Sequence, residues 1–244
     1  QPRSASEVPE AVRKGFFIAE SGRPGPVLID IPKDVQQNKE PMDFPDEFKI
    51  RGYHPWADPD IVNVEKAIEM LLHAEKPIIL AGGGTIISSA FAELQSIAET
   101  LMLPVVTTFK GKGAFPENHP LSLGPIGMHG HAEANKMMSE ADCVLAIGTR
   151  FSDRSVGTFE AFEKRLKIIH MDVDPAEIGK NQTAQIAVIG DVKVNLRVMV
   201  KLLLQRAIKK TDESPWVKHV KETKAYWKEN LKIHPGEMGA AKIL

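Results

Sequence analysis

Five short runs of branched apolar residues recur through the middle of the chain. They cover residues 77–81, 104–108, 143–147, 167–171 and 186–189. Each run is almost continuously hydrophobic rather than alternating, which is typical of strands buried on both faces of a parallel sheet. Helical patterns, with apolar residues three and four positions apart, lie between several of the runs. The pattern predicts an α/β fold in which a parallel sheet is flanked by helices on both faces.

Two of the helices between these runs carry clear start signals. Asp58 followed by Pro59 predicts a helix that Asp58 caps and that begins at Pro59. Asp191 is likewise predicted to cap a helix after the last run. That helix carries Val194, Val198, Leu202 and further apolar neighbours. Another helix contains Met137 and Met138, which we expect in the core rather than at a ligand.

The pattern changes at both ends of the chain. Residues 1–36 contain a helix and one apolar run at residues 27–31, which we expect to be a buried strand at the C-terminal tail of a preceding domain. Residues 37–57 are polar, proline-containing and aperiodic, which predicts a linker. Residues 58–205 are expected to form a central domain, and residues 206–244 to form linker helices toward a further domain. Because the chain starts without Met and stops in an Ala-rich helical pattern, we expect a piece of a longer polypeptide.

Composition excludes several classes of protein. The chain has 244 residues, of which 43% are hydrophobic and 26% charged, so it can bury a sizeable core. A formal net charge of -1 gives no sign of a nucleic-acid or acidic-membrane binder. No apolar run approaches the roughly 20 residues that a membrane span requires. Cys143 is the single cysteine and lies in an apolar run, which predicts a buried structural thiol and fits the cytoplasm.

Glycines or polar residues follow each apolar run. They are Gly82–Gly84, Thr107 and Thr108, Gly148–Arg154, Asp172–Asp174, and Gly190 with Asp191. Ligands of open α/β sheets bind beyond the carboxyl ends of the strands. There, Arg150 and Arg154 could hold phosphate, and Asp172 or Asp174 could accept hydrogen bonds from ribose hydroxyls or an adenine amine. Any one of these residues could instead be a turn, a helix cap or a surface ion pair, but together they favour a dinucleotide crevice. Neither G-x-G-x-x-G nor the P-loop motif occurs.

His129 lies in the segment Gly127-Met128-His129-Gly130, just before a helical pattern. No Ser, Cys or carboxylate is placed in the sequence to complete a catalytic triad with it. The other histidines have no metal-ligand spacing. We therefore expect His129 to be a loop residue that contacts a bound ligand or its own backbone.

Several of these segments together resemble the acetolactate synthase (acetohydroxyacid synthase) family, in its large catalytic subunit. The matching stretches are GRPGPVLIDIPKDVQ at residues 22–36, the Gly triplet at 82–84, GMHG at 127–130, GTRFSDRSVG at 148–157, HMDVDPAEIGKN at 170–181 and GDV at 190–192. The first stretch marks the wider superfamily of thiamine-diphosphate enzymes. RFSDR combined with DPAEIGKN points to acetolactate synthase itself.

The resemblance implies a three-domain protein whose central, Rossmann-like domain binds FAD in an extended pose, with no net redox role for the flavin. The positions that correspond to FAD contacts are Arg23, Gly82, Gly83, Gly84, Thr108, Phe109, Gly127, Met128, His129, Gly148, Arg150, Asp153, Arg154, Asp172, Asp174, Ile178 and Asp191. Lys33 and Arg154 correspond to residues of the family's substrate channel. Lys110 stands where the family usually has Met, beside the expected flavin.

The resemblance also implies an activity for the intact protein. Pyruvate is decarboxylated on thiamine diphosphate, held with Mg²⁺, and joined to a second pyruvate or to 2-oxobutyrate, the first common step of branched-chain amino acid synthesis. The family's catalytic glutamate would lie before Gln1 and its metal-binding motif after Leu244. We therefore expect no catalytic or metal-binding residue in this chain, and no activity from the chain alone. A homo-oligomer is expected, and a regulatory small subunit is a possible partner.

Two other interpretations of the sequence stay open at this point. One is another thiamine-diphosphate enzyme, such as a glyoxylate carboligase or a pyruvate oxidase. The other is a stand-alone nucleotide-binding module that uses the same crevice. The nicotinamide fingerprint is absent, whereas the Gly triplet, GMHG and RFSDR match flavin-contact positions of the family, so we expect the chain to prefer FAD to NAD.

Overall fold

The computed structural model describes residues 1–45, 47–55, 58–152, 166–211 and 214–230. Within it the chain forms two compact units, Gln1–Asp58 and Pro59–Leu244. The first unit contains helices α1 (Val8–Glu20) and α2 (Lys33–Gln37). Inside this unit, the ring of Phe17 makes edge-on contacts with Phe48 and Tyr53 at centroid distances of 5.4 and 6.0 Å.

The buried strand predicted at residues 27–31 is absent from the described part of the first unit. These residues pair with no strand of the described chain, and the Leu28 side chain is 92% exposed. A strand needs a neighbouring strand to receive its backbone hydrogen bonds. The described residues of this unit provide no such neighbour, so the apolar run stays open to solvent.

The second unit is built on one six-stranded sheet. Its strands are β1 (Pro77–Ala81), β2 (Val105–Thr107), β3 (Ser122–Pro125), β4 (Cys143–Ile147), β5 (Lys167–Asp172) and β6 (Ile186–Ile189). The spatial order is β3-β2-β1-β4-β5-β6, and every neighbouring pair is parallel. This confirms the predicted parallel sheet, and it adds β3. The β3 segment, Ser-Leu-Gly-Pro, has a single large apolar residue and therefore gives no hydrophobic run.

Helices cover both faces of the sheet, as predicted. The helices of this unit are α3 (Ile61–His73), α4 (Gly83–Ile87), α5 (Phe91–Leu101), α6 (Ala132–Glu140), α7 (Val192–Gln205) and α8 (Pro215–Asn230). Ile79 and Leu145 point to the face covered by α3, α5 and α7. Ile78 and Val144, their chain neighbours, point to the face covered by α6 and α8. Alternation along strands buried on both sides explains why each run is continuously apolar.

Helix α3 begins two residues later than the sequence predicts. Its cap is Asp60, whose carboxylate accepts hydrogen bonds from the backbone N–H of Asn63 at 3.2 Å and from the Asn63 side chain at 2.9 Å. The prediction that Asp58 caps a helix beginning at Pro59 is therefore wrong. Only a carboxylate three residues before Asn63 reaches its N–H, and Asp60 has that spacing.

Helix α7 begins as predicted. Asp191 caps it by accepting a hydrogen bond from the Val194 N–H at 2.9 Å. Val198 and Leu202 are half-buried and pack against the core, and the fully buried apolar residues beside them are Val192, Leu196, Met199 and Leu203. Because α7 packs against both α3 and α5, its apolar surface is wider than one stripe.

Helix α8 packs on the sheet although its sequence is rich in lysine. Trp216 is buried, and its indole N–H donates to the carbonyl of Pro77 at 2.9 Å. Val217 and Val220 are buried beside it. None of the helices in the described residues is long and apolar enough to cross a membrane.

Two core predictions are confirmed. Met137 and Met138 are buried on the α6 side of the sheet. Cys143 is buried in β4, and burial raises the pKa of its thiol to about 12. A thiol with so high a pKa carries almost no thiolate at neutral pH and is therefore chemically inert.

Candidate functional site

The carboxyl ends of the strands lie level with one another. Strand pairing places Ala81 opposite both Thr107 and Ile147, and Ile147 opposite Met171. The segments that follow the strands therefore all leave from one edge, which we call the carboxyl edge. With neighbouring strands about 4.8 Å apart, this edge is roughly 24 Å wide. The strand order reverses between β1 and β4, and that is where such sheets form a ligand crevice.

The glycines at this switch point pack against each other. The N–H of Gly82 donates to the Ile147 carbonyl at 2.8 Å, and that of Gly84 donates to the Gly148 carbonyl at 3.0 Å. A Cβ added to Gly82 would lie 2.2 Å from the Gly148 carbonyl oxygen, and one on Gly84 would lie 2.6 Å from the Gly148 Cα. The triplet Gly82, Gly83 and Gly84 thus allows direct contact between two backbone segments, a role that sequence reasoning did not assign to it.

The segment after β2 presents an apolar ring beside the switch point. The Thr108 hydroxyl accepts a hydrogen bond from the Gly111 N–H at 3.0 Å and so fixes a single 3-10 turn. In that turn the Phe109 side chain is 81% exposed. The Lys110 Cβ lies 3.2 Å from where a Gly83 Cβ would be, so this turn lies against the glycine triplet.

The segment after β3 is held by a residue that sequence reasoning missed. Asn135, on α6, accepts a hydrogen bond from the Gly127 N–H at 2.9 Å and donates to the Gly127 carbonyl at 3.0 Å. The neighbouring Met128 and His129 are exposed, Met128 by 84%. Asn135 lies one helical turn inside α6, and only the fold brings its amide back to Gly127.

The carboxylates on the other side of the switch point bind backbone groups. Asp172 accepts from the Asp174 N–H and Asp174 from the Ala176 N–H, each at 2.9 Å. These are Asx turns, which orient each carboxylate by a local contact. Asp172 is buried at the end of β5, Ile178 is half-buried in the turns that follow, and Asp191 is the half-buried cap of α7.

Arg150 extends into solvent from the segment after β4. It lies two residues after Gly148 at the switch point, and its carbonyl accepts a hydrogen bond from the Asn181 side chain at 2.7 Å. Asp153 and Arg154 lie outside the described residues. Arg23 and Lys33 lie in the first unit.

The described residues at the carboxyl edge fit an extended ligand with an apolar ring, a negative centre and a polar end. Phe109 and Met128 are exposed apolar side chains on the β2–β3 side. Arg150 lies at the middle of the edge, and carboxylates follow β5 and β6. Among the described residues, no group of three or more His, Cys, Asp or Glu side chains could hold a metal ion.

Comparison with known proteins identifies the fold family. The family described as "Thiamine pyrophosphate enzyme, central domain" matches residues 64–199, a range that contains all six strands and the switch point. This chain is a thiamine pyrophosphate enzyme central domain. The sheet order and the carboxyl edge described above are therefore features of a central domain of this family.

Curated relatives make the relationship more specific. The "Probable acetolactate synthase large subunit" of Methanocaldococcus jannaschii is 46% identical over 227 residues, which is 92% of this chain and 38% of that protein. The "Acetolactate synthase large subunit" of Corynebacterium glutamicum is 37% identical over 239 residues, or 98% of this chain and 38% of that protein. That of Haemophilus influenzae is 39% identical over 226 residues, or 91% and 39%. The resemblance seen in the motifs is confirmed, and the chain spans about 38% of the length of the first two relatives.

Proposed function

We propose that this central domain belongs to an acetolactate synthase large subunit. The intact protein would decarboxylate pyruvate on thiamine diphosphate, with Mg²⁺, and join the product to pyruvate or 2-oxobutyrate. Support comes from the matching family and from relatives of that name over more than nine-tenths of the chain. Thiamine diphosphate supplies the electron sink for decarboxylation. No residue of this chain is assigned to that cofactor or to the metal.

The domain's own task, in this proposal, is to hold FAD along the carboxyl edge. The observation that supports this proposal is that backbone N–H groups at the switch point donate to carbonyls of the protein itself. In nicotinamide-binding sheets, the N–H groups of the first glycine turn receive the pyrophosphate. Here those of Gly82 and Gly84 already donate to carbonyls of β4 and of the segment after it. These two N–H groups are therefore not available to a phosphate, and Arg150 is a cation at the same edge that can bind one.

The remaining candidates have roles consistent with FAD. Phe109 and Met128 offer apolar surface to a flavin ring, and Asp172, Asp174 and Asp191 offer carboxylate oxygens to ribose or adenine. Thr108, Gly127, His129, Gly148 and Ile178 would contribute backbone and edge contacts, with Arg23, Asp153 and Arg154 completing the set. Lys33 and Arg154 are proposed to line the substrate channel of the intact protein.

We also propose a cytoplasmic homo-oligomer that can take a regulatory small subunit. The names of the relatives support the last point, because a "large subunit" implies a smaller partner. The absence of a membrane-spanning helix among the described residues is compatible with the cytoplasm.

Replacing Arg150 tests the FAD assignment directly. Hydrogen bonds to charged groups contribute about 1.5–3 kcal/mol, so Arg150→Ala should weaken FAD binding about tenfold or more. Quenching of flavin fluorescence on titration with the protein measures this affinity. The matched control is Arg197→Ala on α7, where Arg197 is paired with Glu93 at 2.8 Å. Equal FAD affinity in wild type and Arg150→Ala would remove Arg150 from the site.

A further inference from the structure

The segment after β4, residues 148–151, has an unusual backbone, and we call it the β4 exit loop. Gly148 has a φ of +56° and Phe151 a φ of +47°. The left-handed region is unfavourable for a residue with a side chain, and Phe151 is a buried aromatic residue. Such a conformation persists only where the surroundings over-determine it. Contacts with the rest of the domain must therefore hold the β4 exit loop in this conformation.

One of these contacts is a buried histidine on the neighbouring strand. His170 lies in β5, is 1% exposed, and its Nε2 is 2.8 Å from the Thr149 carbonyl oxygen. Because a carbonyl can only accept, Nε2 must carry the proton and donate it. The edge of the His170 ring also meets Phe151 at a centroid distance of 5.2 Å and an interplanar angle of 85°. The His170 side chain thus contacts two residues of the β4 exit loop, Thr149 and Phe151.

The environment keeps His170 in the form that makes this bond. Burial lowers the pKa of His170, which outweighs the opposite effects of its bond to Thr149 and of the nearby Asp172 and Glu177. The ring is therefore neutral at physiological pH, with its proton on Nε2. Its Nδ1 is buried and has no hydrogen-bond partner among the described residues. The hydrogen bond to Thr149 is thus the polar contact that anchors the ring.

The carbonyls on either side of Thr149 are also occupied. The Gly148 carbonyl accepts from the Gly84 N–H at 3.0 Å. The Arg150 carbonyl accepts from the Asn181 side chain at 2.7 Å, in an exposed position. Three successive carbonyls of the β4 exit loop are therefore bound by groups from three other parts of the domain. Of the two side-chain donors, only His170 is buried, so its loss leaves a buried acceptor without a partner.

We propose that His170 is a positioning residue for the dinucleotide site. It holds the Thr149 carbonyl and the Phe151 ring, and so fixes the backbone from which Arg150 reaches the negatively charged centre of the ligand. This rests on the proposed function, since it assumes that Arg150 meets a phosphate. Asn181 assists from the solvent side and contributes less. None of the motifs that pointed to the crevice assigns a role to His170 as a side chain.

Two substitutions separate the hydrogen bond from the volume of the ring. His170→Leu removes the donor, and we expect it to weaken FAD binding about tenfold, the effect of losing one well-placed hydrogen bond. His170→Gln can place an amide N–H near the position of Nε2, and we expect it to retain affinity within about threefold of wild type. Asn181→Ala should show an effect between these two. FAD affinities are measured by fluorescence titration on protein shown by urea unfolding to be folded at the assay temperature.

A double-mutant cycle tests whether His170 acts through Arg150. In an Arg150→Ala background, His170→Leu should add less than about threefold, because residues that act on one contact are not additive. Val220→Ala is the control for stability: Val220 is buried on the same face of the sheet, in α8, away from the carboxyl edge. It should lower the midpoint of urea unfolding and leave FAD affinity unchanged.

The outcomes separate this inference from the proposed function. Unchanged FAD affinity in His170→Leu, or the same loss with and without Arg150, would overturn the positioning role. If the wild-type chain binds no FAD, the proposed function fails, and amide hydrogen exchange then decides the inference. In that case His170→Leu must speed exchange in residues 149–152 more than Val220→Ala does, and equal exchange in the two variants would refute it.

Discussion

Gly148 is the residue at which backbone conformation and packing constrain the crevice most tightly. It combines a positive φ with a position where a Cβ would lie 2.5 Å from the Gly84 Cα. Its carbonyl receives the Gly84 N–H, and its own N–H donates to Met171 on β5 at 2.8 Å. Gly148 thus joins the segments after β1 and β4 to the next strand, and no side chain fits there without moving backbone.

Gly148→Ala should accordingly be more destabilising than an alanine at an open glycine. Both Gly148 and Gly113 have positive φ, but an added Cβ at Gly113 would meet nothing within 4 Å. The left-handed conformation costs each variant roughly 1–2 kcal/mol, and overpacking adds about 1–3 kcal/mol at Gly148 alone. Urea unfolding of the two variants measures the difference. Equal losses of unfolding free energy in the two variants would mean that the backbone at Gly84 moves aside at little cost.

At the residue scale, the sequence predicted candidates that lie next to a strand end and missed those that act from a distance. Gly82 and Asp172 follow apolar runs directly and Arg150 follows one within three residues, so a local pattern finds them. His170 and Asn135 reach the carboxyl edge only because strand pairing and helix packing bring them back to it. His170 also lies inside an apolar run, where its own position suggests only a core residue.

At the element scale, predictions held where a segment's environment matches its own pattern. Strands β1, β4 and β5 are buried on both faces, and their sequences are continuous apolar runs. The apolar run at residues 27–31 has the same pattern, but the described part of its unit offers it no neighbouring strand. The sequence of helix α8 has the pattern of a charged tail because only a few residues near its start are buried, among them Trp216.

The cap of α3 gives an element-scale test. Asp60→Ala removes the carboxylate that binds the Asn63 N–H, and loss of a cap typically costs about 1 kcal/mol. Asp58→Ala changes an exposed residue outside the helix and should stay within about 0.5 kcal/mol of wild type. Urea unfolding again supplies the free energies. A larger loss at Asp58 than at Asp60 would restore the helix start that the sequence suggested.

At the scale of the whole molecule, the all-parallel sheet with its order reversing between β1 and β4 places the described candidate residues of the second unit along one edge. The sequence alone predicted that the strands are parallel and that their ends carry the chemistry. It could not predict the spatial order, because that order depends on which helices cross to which face. The order in turn determines that Gly82 and Gly84 meet Gly148 rather than a ligand phosphate.

The measurement that tests the account most directly is titration of the purified chain with FAD and with NAD by calorimetry. The N–H groups of Gly82 and Gly84 are engaged with carbonyls and so leave fewer backbone donors for a nicotinamide dinucleotide, while Arg150, Phe109 and Met128 are exposed at the carboxyl edge. We therefore expect FAD to bind more tightly than NAD, and Arg150→Ala to reduce the FAD signal. Tighter binding of NAD than of FAD would contradict the assignment and favour a nucleotide-binding module of another kind.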